Sequence, residues 1–122
     1  MYKGHLIVKP LEDGKFWELS RDFCFNSTLQ EDWLCIPKGF LTDFASIPRV
    51  FWTFIGSPAS GKARKAAVCH DFLYRFGKEL GIKRKKADDI FLELMKEDRV
   101  GYFTRYTMYW AVRAGGGGSY DR

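Results

Sequence analysis

The spacing of apolar residues changes half-way along the chain, and that change restricts the fold more than any other feature of the sequence. The first part contains only short apolar runs separated by turn residues. Leu6 to Val8, Phe16 to Leu19, Phe23 to Phe25, Trp33 to Ile36 and Phe40 to Leu41 read as strands. Asp13-Gly14, Asn26-Ser27-Thr28 and Pro37-Lys38-Gly39 read as the turns and loops between them. Three to five short strands with tight connections predict a small antiparallel sheet.

The second part has helical spacing. Lys62 to Phe76 places Ala66, Ala67, Cys69, Leu73 and Phe76 near one face, with Gly77 as a candidate stop. Lys85 to Lys96 carries Ile90, Phe91, Leu94 and Met95 on one stripe. Phe103 to Arg113 repeats the pattern with Tyr106, Tyr109, Trp110 and Arg113. Val50 to Ile55 reads as one short helical turn after Pro48, broken by the stretch Gly56 to Gly61. The expectation is an α+β fold: an N-terminal antiparallel sheet, then three to four helices, two of them antiparallel. At 122 residues this fits a single domain over 1–114, followed by a flexible Gly-rich tail over 115–122.

Three cysteines, an odd number without a CxxC pair, argue against a disulfide framework or a zinc site. Buried free thiols in a reducing compartment are the simpler reading, although Cys24 and Cys35 would be able to meet across strands. The first ten residues lack a signal-peptide pattern, and no window approaches the ~20 apolar residues of a membrane-spanning helix. These features predict a protein of a cytoplasm or of a particle assembled there. A net charge of +5 suits an anionic partner, whether lipid head groups, nucleic acid or an acidic protein.

Chemistry concentrates on two of the helices. His70 and Tyr74 are four residues apart and share a face, while Asp71 is turned about 100° from His70. Helices joined by a short loop pack antiparallel, which would bring Asp88 of the next helix beside His70 and Tyr74. A carboxylate beside an imidazole fixes its tautomer and suits a general base. On this reading His70, Asp88 and Tyr74 are catalytic candidates, and Asp71 would be free to hold a cation or to meet a basic side chain. The competing reading is that the polar groups satisfy one another and fix helix register. Asp43, Ser46 and Arg49, in the stretch from Gly39 to Arg49, are candidates for lining the same pocket as substrate-binding residues. Ser46 has no Gly-x-Ser-x-Gly elbow to make it a nucleophile. Lys83, Arg84, Lys85 and Lys86 open a helix where cations oppose the dipole, so they are expected to face solvent and meet an anionic partner.

Pro37-Lys38-Gly39-Phe40-Leu41-Thr42-Asp43-Phe44-Ala45-Ser46-Ile47-Pro48-Arg49, Ala66 to Tyr74, Lys86-Ala87-Asp88 and Tyr109 to Arg113 together carry a resemblance. The chain resembles, from about Trp33 to Arg113, a small domain-of-unknown-function family of tailed phages and prophages. That resemblance implies a phage origin and no particular activity. His70-Asp71-Phe72-Leu73-Tyr74 is also similar to the His-Asp-x-Cys-Tyr helix of secreted phospholipases A2. This implies a base at His70, a calcium ligand at Asp71, and a supporting carboxylate at Asp88 bonded by Tyr74. The chain departs from that pattern: it lacks the Gly-rich calcium loop, and Leu73 stands where the cysteine would be. Two functions follow as expectations. One is a hydrolase acting on lipid or cell-envelope bonds. The other is a non-catalytic virion component, of neck or tail, in which the cluster is structural. A phage inhibitor of host defence is a third and weaker one.

Overall fold

The computed structural model describes residues 1–44, 47, 61–115, 117 and 120. The short helical turn read over Val50 to Ile55 lies outside them. Contacts divide the chain into two compact units, Met1–Asp43 and Phe44–Arg122.

The first unit is all β. Its strands are β1 (Tyr2–Lys3), β2 (Val8–Pro10), β3 (Trp17–Leu19), β4 (Phe23–Phe25), β5 (Leu34–Ile36) and β6 (Leu41–Thr42). They form two three-stranded sheets in place of the single sheet expected, in the orders β1-β4-β5 and β2-β3-β6, with every pairing antiparallel. No strand exceeds three residues, so none is long enough to serve both sheets. Alternation sets the faces: Phe23 and Phe25 are buried, and Cys24 between them is turned outward. Cys24 lies directly opposite Cys35 in the β4–β5 register, and the two form a disulfide. This corrects the free-thiol expectation for that pair. Cys69 is the free, buried cysteine.

The second unit contains α1 (Arg64–Leu80), α2 (Arg84–Glu97) and α3 (Tyr102–Gly115). α2 packs against both α1 and α3. In α1, Tyr74 meets Arg84 while His70, one turn earlier, meets Asp88 and Phe91. Contacts that step back along α1 as they step forward along α2 define an antiparallel pair. Ala66, Leu73, Ile90, Phe91, Leu94 and Met95 are all buried, on the faces that the apolar spacing of α1 and α2 selected, whereas α3 buries Met108, Tyr109 and Val112 and leaves Trp110 of its expected stripe exposed.

Gly77 does not end α1, which continues to Leu80. The stop is Gly81, in the left-handed region at φ 71°. Its N–H bonds the Lys78 carbonyl at 3.3 Å, and the Ile82 N–H bonds the Gly77 carbonyl at 2.8 Å. This is the paired closure of a Schellman motif, which needs a residue tolerant of positive φ. Gly77 is required for a different reason. A Cβ there would sit 2.8 Å from the Ile82 carbonyl oxygen and 2.9 Å from Cε2 of Tyr120.

Candidate functional site

α1 and α2 bring His70, Tyr74 and Asp88 together. His70 Nε2 lies 2.6 Å from Asp88 Oδ1, and the Tyr74 hydroxyl donates to the same oxygen at 2.6 Å. The other carboxylate oxygen, Oδ2, accepts from Arg113 Nη1 of α3 at 2.8 Å. An ionised carboxylate only accepts, so the proton of the first pair resides on His70 Nε2. The His70 ring is packed against Tyr74 and Phe91, with centroids 4.1 and 4.6 Å away.

Electrostatics follow from this arrangement. Burial alone would raise the Asp88 carboxyl. The hydrogen bond and charge of His70, with the bonds from Tyr74 and Arg113, outweigh it and hold Asp88 below the usual carboxylate range. Burial, then the hydrogen bond to Asp88 and its charge, push the Tyr74 phenol well above its ordinary value. The bond to Asp88 raises Arg113 further. Burial likewise pushes the Cys69 thiol up, which removes it as a nucleophile.

Two members of this cluster were not legible as such. Arg84 was expected in solvent with its basic neighbours. It turns inward: Nε donates to the Tyr74 hydroxyl at 3.2 Å, and Nη2 donates to the Val112 and Arg113 carbonyls at 2.8 and 2.5 Å. It thereby caps the C-terminal end of α3, where carbonyls lack partners within the helix. Arg113 enters the sequence reading through the α3 stripe and the motif Tyr109 to Arg113, with no role in the cluster. Its signal was the neighbouring pair Asp88-Asp89, whose charges need partners. Tyr109, four residues before Arg113, donates to Asp89 at 2.6 Å, and Lys85 bonds the other Asp89 oxygen at 2.8 Å. Burial, then the Asp89 bond and charge, push the Tyr109 phenol up to about 12.

Asp71 is buried on another face of α1, with Arg75 Nη2 at 3.9 Å. Among the described residues no group of three or more His, Cys, Asp or Glu is arranged to hold a metal ion. Asp43 is half-buried just past β6. Ser46 and Arg49 lie outside the described residues. Lys83 is exposed, Lys85 pairs with Asp89, and Lys86 is half-buried. Among the described residues, no helix is long and apolar enough to cross a membrane.

A His–Asp pair of this length is the core of a general base. Here, however, both side chains are 0% exposed, and each oxygen of the carboxylate is used internally. The fold and the cluster define a class: an α+β protein whose helices are joined by a buried His–Asp–Tyr–Arg network. The chain belongs to the family described as protein of unknown function (DUF1353), which matches residues 17–112 and so includes His70, Tyr74, Arg84 and Asp88. It is 36% identical over 99 residues to an uncharacterized protein of Sinorhizobium fredii. The match covers 79% of this chain and 27% of the relative, so it takes up about a quarter of that protein's length. No solved structure matches.

Proposed function

We propose that the protein is a non-catalytic interaction component, of phage or prophage origin, whose buried network holds its helices in register while its surface engages a partner. The observation that supports this most is that His70 and Asp88 are both 0% exposed while Asp88 is bonded from three sides. A general base must reach the proton that it abstracts. In this cluster Asp88 holds Nε2, and the other ring nitrogen, which would act as the base, belongs to a ring that is sealed from solvent and packed against Tyr74 and Phe91. Groups so consumed are well suited to specifying one helix packing.

A hydrolytic reading retains one supporting observation, the 2.6 Å pair itself, which has the length and partners of a base and its orienting carboxylate. On that reading the cover over His70 would have to open to admit a substrate while the His70–Asp88 pair stays intact.

One experiment separates the two. Parent and His70→Gln proteins are incubated with anionic phospholipid vesicles, with and without calcium, and their thermal unfolding is recorded alongside. The interaction reading expects no lipid turnover by either protein and a lower melting temperature for the variant. Turnover by the parent, lost in a variant of unchanged melting temperature, would overturn it.

A further inference from the structure

The outer face of the β1-β4-β5 sheet carries chemistry that the buried helical network does not use. Lys3, Cys24 and Cys35 lie directly opposite one another across the three strands. Directly paired residues point to the same face, so the three side chains form one row. Trp33, two residues before Cys35, shares that face by strand alternation. Lys3 Nζ lies 4.1 Å from the centroid of the Trp33 ring, so the lysine arm reaches across β4 on the side that holds the disulfide. Among the described residues no carboxylate pairs with the Lys3 ammonium.

The two sulfurs are not equally accessible. Cys24 is half-buried on the central strand, and Cys35 is exposed on an edge strand. An incoming thiolate attacks the sulfur that it can reach, which is that of Cys35. Cys24 is then the leaving group, and it is the cysteine opposite Lys3. A neighbouring cation favours the thiolate, and a more stable thiolate leaves faster.

The hairpin keeps its shape without the bridge. On the other face of the sheet Phe23, Phe25 and Ile36 are 0% exposed. The β4–β5 loop is closed by its own hydrogen bonds. Ser27 and Gln30 exchange backbone bonds at 3.0 and 3.2 Å, and Asn26 Nδ2 donates to the Glu31 carbonyl at 3.1 Å. A bridge on the solvent side of a hairpin held in this way can open while the core beneath it stays packed.

We infer that Cys24–Cys35 is a thiol–disulfide exchange site, in which an external thiolate attacks Cys35 and expels Cys24 beside Lys3. A bond forms between the attacking sulfur and Cys35 Sγ, the Sγ–Sγ bond breaks, and its electron pair leaves on Cys24. A second external thiolate attacks the outer sulfur of this mixed disulfide and releases Cys35. The protein gains two electrons, two external thiols become one disulfide, and the two protons that those thiols lose end on Cys24 and Cys35. Such a thiolate comes from a small molecule such as glutathione or from a CxxC dithiol of another protein. Cys69 is buried and takes no part.

The test uses the full chain with its disulfide formed and two probes: reduced glutathione, and a CxxC oxidoreductase whose second cysteine is replaced by serine. Released thiols are blocked with excess iodoacetamide, and peptide mass spectrometry assigns each cysteine. The probe is expected on Cys35 and the alkyl group on Cys24, while circular dichroism remains that of the folded chain. Lys3→Gln should slow this step about two- to threefold, and Lys3→Arg should retain the parent rate, with Lys15→Gln as the control for net charge. Capture of Cys35 by glutathione supports a small-molecule source, and capture by the oxidoreductase alone supports a protein source. Failure of both probes on the folded chain, or exchange only at denaturant concentrations that unfold it, would overturn the inference. An equal distribution of probe over Cys24 and Cys35, or a Lys3→Gln rate equal to that of the parent, would overturn it as well.

Discussion

Replacing Asp88 by Asn tests the network most directly, because it changes charge and donor pattern at constant shape. Asp88 accepts from His70 and Tyr74 on one oxygen and from Arg113 on the other. An asparagine keeps one acceptor. With its oxygen toward His70 and Tyr74, its NH2 group meets the Arg113 guanidinium. Flipped, the NH2 group meets two other donors. Either way a buried donor faces a donor, and Arg113 or the His70–Tyr74 pair loses its carboxylate. Hydrogen bonds to charged groups contribute about 1.5–3 kcal/mol each. Breaking a buried ionic contact from one side costs about 3–5 kcal/mol, and we expect Asp88→Asn to fall in that range. At roughly 3–6 °C per kcal/mol for a chain of this size, the melting temperature should drop by about 10–30 °C. The assay is chemical denaturation with a parallel melt. It also has a pH signature. The folded Asp88 carboxyl titrates below its unfolded value of about 3.9, so its stabilisation is present above that pH and is lost as pH falls through the folded value. The parent should lose stability on that acid limb, and the Asn variant should lack this contribution. A variant within about 1 kcal/mol of the parent, the median worth of an exposed pair, would refute the assignment of Asp88 as the centre of the cluster.

Gly77→Ala should destabilise by about 1–3 kcal/mol in denaturation, even though Ala is the better helix former, because its Cβ would meet the Ile82 carbonyl and Tyr120. The basic run should divide under mutation. Lys83→Gln and Lys85→Gln should stay within about 1 kcal/mol of the parent, whereas Arg84→Gln should cost more and speed hydrogen exchange in the last turn of α3. Reducing the Cys24–Cys35 disulfide, which joins residues 11 apart, should cost the first unit about 2–4 kcal/mol, read as a lower denaturation midpoint with reductant than without.

What the sequence revealed depended on whether periodicity carried the signal. His70, Tyr74 and Asp88 were legible because helical spacing fixes which residues share a face, and a short connection fixes how two helices pair. The inward turn of Arg84 was not. A long cation among Lys83, Lys85 and Lys86 reads as solvated, and only the end of α3, twenty-eight residues away at Val112, gives its guanidinium a use. Arg113 was hidden for the same reason. Gly77 offered a stop signal four residues too early, because a glycine demanded by close packing looks like one demanded by positive φ. The division into two sheets was not legible, since a two-residue strand such as Tyr2–Lys3 has no period and is defined by its pairing with β4. Cys24 and Cys35 carried the opposite lesson. Their odd-numbered set argued against a disulfide, while strand register placed them face to face.

The connection between α1 and α2 spans Gly81 to Lys83. Its length sets the rotational phase of α2 against α1. A residue added there would have to be absorbed without moving α2, because Asp88 must still reach His70 and Tyr74, and Arg84 the end of α3. The loop from Asn26 to Trp33, between strands held by a disulfide, has no such phase to keep. Insertions and deletions should therefore accumulate at the β4–β5 loop in natural variants of this chain, and the Gly81–Lys83 connection should remain constant in length while its exposed lysine changes freely.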